Sequence, residues 1–174
     1  MVAVILVLGG LSLVLPPGRP LAYRVARHFG LINRPAPLQP GDKLPAVTLN
    51  TVGGTPIVVR RKPGRGMLID IFASWCVPCQ GEMTALVSVA PLLQREGVDV
   101  VGIDRQESPS RVAEVVQTYK IPYPVYINDG GDAAAALDER VIPTTIFVDR
   151  HSVVRLVFMG PLSKGDLLAA AKEI

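Results

Sequence analysis

The chain has 174 residues, is 49% hydrophobic and 5% aromatic, and carries a formal net charge of +3 at pH 7. With an apolar N-terminal stretch set aside, about 135 residues remain, which suits one domain with one core. The modest charge and the absence of basic runs interleaved with aromatics argue against a nucleic-acid partner. No G-x-G-x-x-G or G-x-x-x-x-G-K pattern occurs, so a nucleotide has no support and no cofactor is expected.

Residues 2–15 are unbroken apolar or small, and Pro16-Pro17-Gly18 follow. We assign 1–20 as a membrane anchor; a peripheral apolar strand or helix is the other reading. Fourteen residues of helix rise about 21 Å, short of a hydrocarbon core of about 30 Å. No basic n-region precedes the stretch and no A-x-A site follows it, against a cleaved signal peptide. Arg19, Arg24 and Arg27 favour a cytoplasmic C-terminal flank by the positive-inside rule, in conflict with an extracytoplasmic domain. We reconcile the two by expecting the anchor to be truncated at its start. Residues 21–40 read as a juxtamembrane segment and Pro-rich linker. Leu21, Val25, Phe29 and Ile32 fall near helical spacing, as in an interfacial helix or a weakly ordered linker. Residues 34–40 form a proline-stiffened spacer, and the catalytic domain, 41–174, begins near Gly41.

Within that domain, 46–50 and 56–60 flank Gly53-Gly54 and predict a hairpin. A buried strand is expected over 67–73 and a helix over 80–94, which Pro91 should kink or end. Residues 98–103 are nearly all apolar, as a parallel strand buried on both faces requires. Ser108-Pro109 starts a helix to about Tyr119. A short strand is expected over 124–127, a short helix over 132–139, and a second hairpin from 144–148 and 153–158. Ser163 with Asp166 resembles a capping box for the last helix. Strands interleaved with helices and closed by a hairpin give an α/β architecture, a mixed central sheet flanked by helices.

Cys76 and Cys79 are the only cysteines, two residues apart, between the strand over 67–73 and the helix over 80–94. A helix N-terminus offers free N–H groups and a dipole that favour an anion. Such a place lowers a thiol pKa from about 8.5 toward about 7 or below, leaving Cys79, one turn on, to resolve. Zinc needs four ligands; there is no second Cys pair, and His28 and His151 lie far off in the chain, so no metal is expected. A structural disulfide closing so short a loop would restrict the unfolded chain little.

Asp70 is the only charge in Leu68-Ile69-Asp70-Ile71-Phe72. A carboxyl in a central strand is desolvated and its pKa raised, which makes it a candidate proton acceptor; an acid reaching solvent past a sheet edge is the alternative. Glu107 follows the 98–103 strand, either as an active-site acid or as a solvated one favoured by a helix N-terminus.

Trp75-Cys76-x-Pro78-Cys79, with Phe72-Ala73-Ser74 before it and Ile142-Pro143-Thr144-Thr145 downstream, resembles the thioredoxin superfamily over about 40–174. The start at Pro45-Ala46-Val47-Thr48-Leu49-Asn50, the Gly53-Gly54 turn and an inserted segment resemble its membrane-tethered TlpA/ResA-like branch. The resemblance implies a thioredoxin-like fold with an N-terminal β-hairpin and a central insertion. It implies that Asp70 serves Cys79 and that Glu107 matches the active-site glutamate of ResA-like proteins. It further implies a cis bond at Pro143, Ile142 backbone pairing with an extended substrate, and Trp75 shielding the disulfide and contacting substrate.

The mechanism so implied is attack of the Cys76 thiolate on a substrate disulfide, then resolution by Cys79 with help from Asp70. No His or charge occupies Val77-Pro78, so a reducing couple is expected, nearer about −270 mV than about −120 mV. Val77 stands where the branch commonly has Gly, and Gln80 where it often has a basic residue. The leading reading is a tethered thiol-disulfide oxidoreductase with its catalytic domain on the periplasmic side. It would reduce disulfide-containing protein substrates, as in cytochrome c maturation, and draw on a membrane electron donor. A MauD-like maturation factor for methylamine dehydrogenase and a Sco-type copper-delivery module remain as alternatives.

Overall fold

The structure, a computed structural model, describes residues 5–8, 11–14, 37–130, 137 and 141–174. β1 (Ile5–Leu8) and β2 (Leu11–Val14) pair antiparallel as a two-stranded sheet of their own. These eight residues are therefore extended and not helical. No helix among the described residues is long and apolar enough to cross a membrane. The rest of 1–20, and the expected interfacial helix, lie outside the described residues.

The catalytic domain follows as β3 (Val47–Thr51), β4 (Pro56–Val59), β5 (Gly66–Phe72), α1 (Val77–Arg95), β6 (Val98–Arg105), α2 (Pro109–Thr118), β7 (Val125–Asn128), β8 (Thr144–Val148), β9 (Val154–Met159) and α3 (Lys164–Ala171). The sheet order is β4-β3-β7-β6-β5-β8-β9. β5, β6 and β7 run parallel, and the hairpins β3–β4 and β8–β9 close the two sides antiparallel. This is a thioredoxin-like fold, with α2 and β7 supplying the inserted segment. The β3–β4 turn relies on Gly54 at φ +80°, a conformation open to glycine at little cost.

All seven residues of β5 are buried. Alternate side chains enter two cores, as the period of a strand requires. Leu68 and Phe72 meet Cys79, Met83, Leu86 and Leu93 of α1, with Val112 of α2 and Leu167 of α3 behind them. Met67, Ile69 and Ile71 meet Leu38, Leu49, Ile103, Leu137 and Ile146 on the other face. Each such large side chain, fully buried, contributes about 1.5–3 kcal/mol. The expected helix over 132–139 lies outside the described residues except for Leu137, which is helical and buried.

Three expectations need correcting. α1 begins at Val77, because the Cys76 side chain caps it and a proline in the first turn costs no hydrogen bond. It continues through Pro91 to Arg95 instead of ending there, held down by Leu86, Val89, Ala90 and Leu93 along one face. β6 extends to Arg105.

Candidate active site

β5 carries the chain to a tight loop, and α1 takes it back under the sheet. Cys76 is the N-cap of α1, in extended conformation, and its Sγ accepts a hydrogen bond from the Cys79 N–H at 3.2 Å. The sulfur thus occupies the position where side-chain oxygens ordinarily cap helices, against free N–H groups and the positive end of the dipole. No acidic residue in the first turn opposes a thiolate there. The structure holds the oxidised form, a Cys76–Cys79 disulfide. Cys76 retains 6% exposure and Cys79 1%, so an incoming thiol or disulfide reaches Cys76.

Trp75 is 61% exposed and Val77 more so, which sets aside core packing for Trp75 and leaves an apolar surface beside the sulfur. The Ile142–Pro143 bond is cis. Register pairs Ile71 with Thr144, so Pro143 lies level with Phe72, at the end of the sheet from which the cysteine loop leaves. The Pro143 carbonyl accepts from Gly160 N–H at 2.9 Å, and Ile142 is half-buried over both cores.

Asp70 is 1% exposed, and its side chain is on the same face of β5 as Leu68 and Phe72, the face that packs in one core with Cys79. Neither of its oxygens has a hydrogen-bond partner among the described residues. Burial, and then the charge of Glu82, push its pKa well above the ordinary carboxylate range. An acid reaching solvent past a sheet edge is therefore not what the fold makes of it.

Glu82 went unrecognised in the sequence. It is as buried as Asp70; Thr145 Oγ1 donates to its Oε1, and its Oε2 has no hydrogen-bond partner among the described residues. Burial raises its pKa, partly offset by the Thr145 hydroxyl and the Leu162 N–H. The signal was available: Cys79, Glu82, Met83 and Leu86 fall at i, i+3, i+4 and i+7, which places the acid inside the apolar stripe of α1. Two carboxyls that act on one another in a dry core do not both ionise readily, so each makes the other's proton harder to remove.

Glu107 has another place. Its Oε2 accepts from Ser74 N–H at 2.5 Å and its Oε1 from Ser74 Oγ at 2.6 Å, while Arg111 Nε donates to the same Ser74 Oγ at 2.9 Å. Gln80 Nε2 donates to the Ser74 carbonyl at 2.9 Å. Burial pushes the Glu107 carboxyl up, but hydrogen bonds with Asp104 and Ser74 and the Arg111 charge outweigh it and hold the pKa below its usual value. Glu107 therefore enters as an anion that ties down the loop carrying Trp75 and Cys76.

Glu107→Ala should cost about 1–3 kcal/mol by orphaning the Ser74 donors, and should slow disulfide exchange by loosening the loop. Because the folded pKa is lowered, the contribution is full at neutral pH and is lost as pH falls through the folded value. Thermal unfolding at pH 7 and in acid reads both effects; an unchanged melting temperature at pH 7 would sink the tie.

Among the described residues no group of three or more His, Cys, Asp or Glu is arranged to hold a metal ion. His151 sits in the β8–β9 turn, next to Val148, which pairs with Met67 at the start of β5, whereas Cys76 follows the end of β5. That separation by the length of the strand disfavours a shared copper site.

Residues 40–157 match the AhpC/TSA family. A relative, the thiol-disulfide oxidoreductase ResA of Bacillus cereus, is 24% identical over 147 residues, spanning 84% of this chain and 85% of its own. A thiol:disulfide interchange protein of the thioredoxin family from Chlorobium tepidum has a similar structure. Its TM-score is 0.67 at 28% identity, over 77% of this chain and 95% of that one. A secreted thiol-disulfide isomerase from Corynebacterium glutamicum also gives 0.67, at 26% identity, over 74% and 82% of the two chains.

Proposed function

We propose that this chain, which belongs to the AhpC/TSA family, is a thiol-disulfide oxidoreductase that reduces disulfides of extracytoplasmic protein substrates. The observation that carries the reading is Cys76 as the sulfur cap of α1 with Cys79 bonded to it one turn deeper. In the reduced protein the Cys76 thiolate attacks one sulfur of a substrate disulfide, and the other leaves as a thiolate and takes a proton. Cys79 then gives its proton to the Asp70–Glu82 pair and attacks Cys76 Sγ, releasing the second substrate thiolate. Two electrons pass to the substrate, and the protein is left as the disulfide seen here.

Trp75, Ile142 and cis-Pro143 are the groups that would receive the substrate. The exposed indole gives it an apolar contact, and proline at 143 brings no N–H of its own to compete for backbone pairing. Re-reduction calls for a donor, and for a domain outside the cytoplasm that donor is a membrane protein. The apolar stretch at 1–20 and the linker at 21–40 support tethering. The secreted relative from Corynebacterium glutamicum supports the compartment. A substrate in cytochrome c maturation rests on the resemblance of the sequence to the ResA-like branch.

The deciding experiment is the equilibrium potential of the Cys76/Cys79 couple in the full chain, titrated against thiol buffers. With no charge at Val77 or Pro78 to hold the thiolate further, the value expected is nearer about −270 mV than about −120 mV. A value at the oxidising end would make the protein a disulfide donor and overturn the direction proposed.

A further inference from the structure

Asp70 pairs in register with Gly102 of β6 on one side and with Thr145 of β8 on the other. Residues opposite one another present their side chains on the same face, so a glycine, an aspartate and a threonine lie in a row beneath α1. Thr145 carries Glu82. Gly102 leaves a space: a Cβ there would meet Phe72 Cε1 and Val125 Cγ2 at 3.2 Å and Tyr123 Cε2 at 3.4 Å. The ring of Tyr123 therefore lies over the glycine that neighbours Asp70.

Tyr123 is 5% exposed, and among the described residues its hydroxyl has no hydrogen-bond partner, like both Asp70 oxygens and Glu82 Oε2. Buried polar atoms are rarely left alone, and each exception asks for an explanation. Here the unpartnered atoms complement one another. Ionised carboxyls only accept, and a phenol donates. Burial and the charges of Asp70 on β5 and Glu82 on α1 push the Tyr123 pKa far up, so the phenol keeps its proton and acts as a fixed donor. Those two carboxyls are the charges that act on it; the Thr145 hydroxyl completes the polar surroundings.

We propose that Tyr123 is a positioning residue whose hydroxyl donates to the ionised form of the Asp70–Glu82 pair and so sets the pH at which Cys79 can lose its proton. It rests on the dithiol mechanism proposed above and touches no reacting sulfur itself. When Cys79 yields its proton to the pair, the phenol stays protonated and its hydrogen bond weakens. When the proton leaves, that bond is restored. Without the hydroxyl the pair would hold its proton to higher pH, and resolution at neutral pH would slow.

The test is stopped-flow reaction of the reduced full chain with a chromogenic aryl disulfide. The first aryl thiolate reports attack by Cys76 and the second reports resolution by Cys79. Tyr123→Phe should leave the first phase unchanged and move the pH profile of the second about one unit alkaline, the size of one hydrogen bond to a charged group. Adding Tyr123→Phe to Asp70→Asn/Glu82→Gln should move nothing further, which a general packing effect would not reproduce. Site-specific 3-fluorotyrosine at 123, a stronger donor of nearly the same shape, should shift the profile the other way and serves if Tyr123→Phe does not fold. Both phases present with an unshifted profile would overturn this role and leave the dithiol mechanism standing. Absence of a second phase in the native protein would remove both.

Discussion

Cys79→Ala is expected to stop turnover and to accumulate one equivalent of mixed disulfide with substrate, whereas Cys76→Ser should stop turnover and form no adduct at all. The asymmetry follows from position. The Cys76 sulfur caps α1 and is the more exposed of the two, while Cys79 is enclosed between Met83, Leu86 and the sheet. A pKa lowered from about 8.5 to about 7 raises the thiolate fraction at pH 7 from about 3% to about half, and only the sulfur at the helix end receives that help. Serine at 76 offers a hydroxyl with no such ionisation. Without Cys79, the intermediate waits for an outside thiol, so it should be captured quantitatively by intact-mass measurement after exposure to a disulfide-bonded peptide. An adduct forming on the Cys76→Ser variant at a comparable rate would reverse the two roles.

Much of this site was legible because its signals are local. An apolar run ending in a C-x-x-C predicts a strand, a loop and a helix N-terminus, and β5, the Cys76 cap and α1 stand there. Ser108-Pro109 and Ser163 with Asp166 were read from capping chemistry, and both cap helices as expected. The cis bond at Pro143 was different: nothing in its neighbours demands it, and only the resemblance to a known superfamily implied it. The partners of Glu107 were illegible for a physical reason. Its tie to Ser74 spans 33 positions and exists only because the loops after β5 and β6 leave the same end of adjacent parallel strands. Glu82 was missed because a single acid in a long helix reads by habit as solvated. The helical spacing that puts it beside Cys79 becomes persuasive only when the sheet face above it is known to carry Asp70. The pair is therefore a tertiary property, as is the space over Gly102 that admits the Tyr123 ring.

Asp70→Asn should make the protein more stable and less active at once, and the gain in stability should depend on pH. A carboxyl whose folded pKa is raised contributes stability that is full below its unfolded value, about 3.9, and is lost as pH rises through the folded value. In the native protein the Asp70–Glu82 pair therefore favours the folded state in acid and opposes it near neutrality and above, where the unfolded chain ionises both acids freely. Removing one acid relieves both the buried charge and the repulsion. Each unit by which burial raises a folded pKa costs about 1.4 kcal/mol of stability at a pH above that value, and lifting such a cost is enough to raise the melting temperature of a domain this size by several degrees. The gain over native should be largest at about pH 8 and should shrink toward about pH 4, with Glu82→Gln behaving alike but less strongly, since the Thr145 hydroxyl and the Leu162 N–H already offset part of the cost of the Glu82 charge. Resolution by Cys79 should meanwhile slow at neutral pH, because the proton acceptor is gone. Thermal unfolding of native and variant at the two pH values checks the sign. A variant that melts lower than native at pH 8 would mean that Asp70 is held by interactions the fold gains from its charge, and the assignment of a proton-accepting pair would fall with it. The opposed outcome, greater stability with slower resolution, is what a site produces when a group is kept in an unfavourable place for the chemistry it performs.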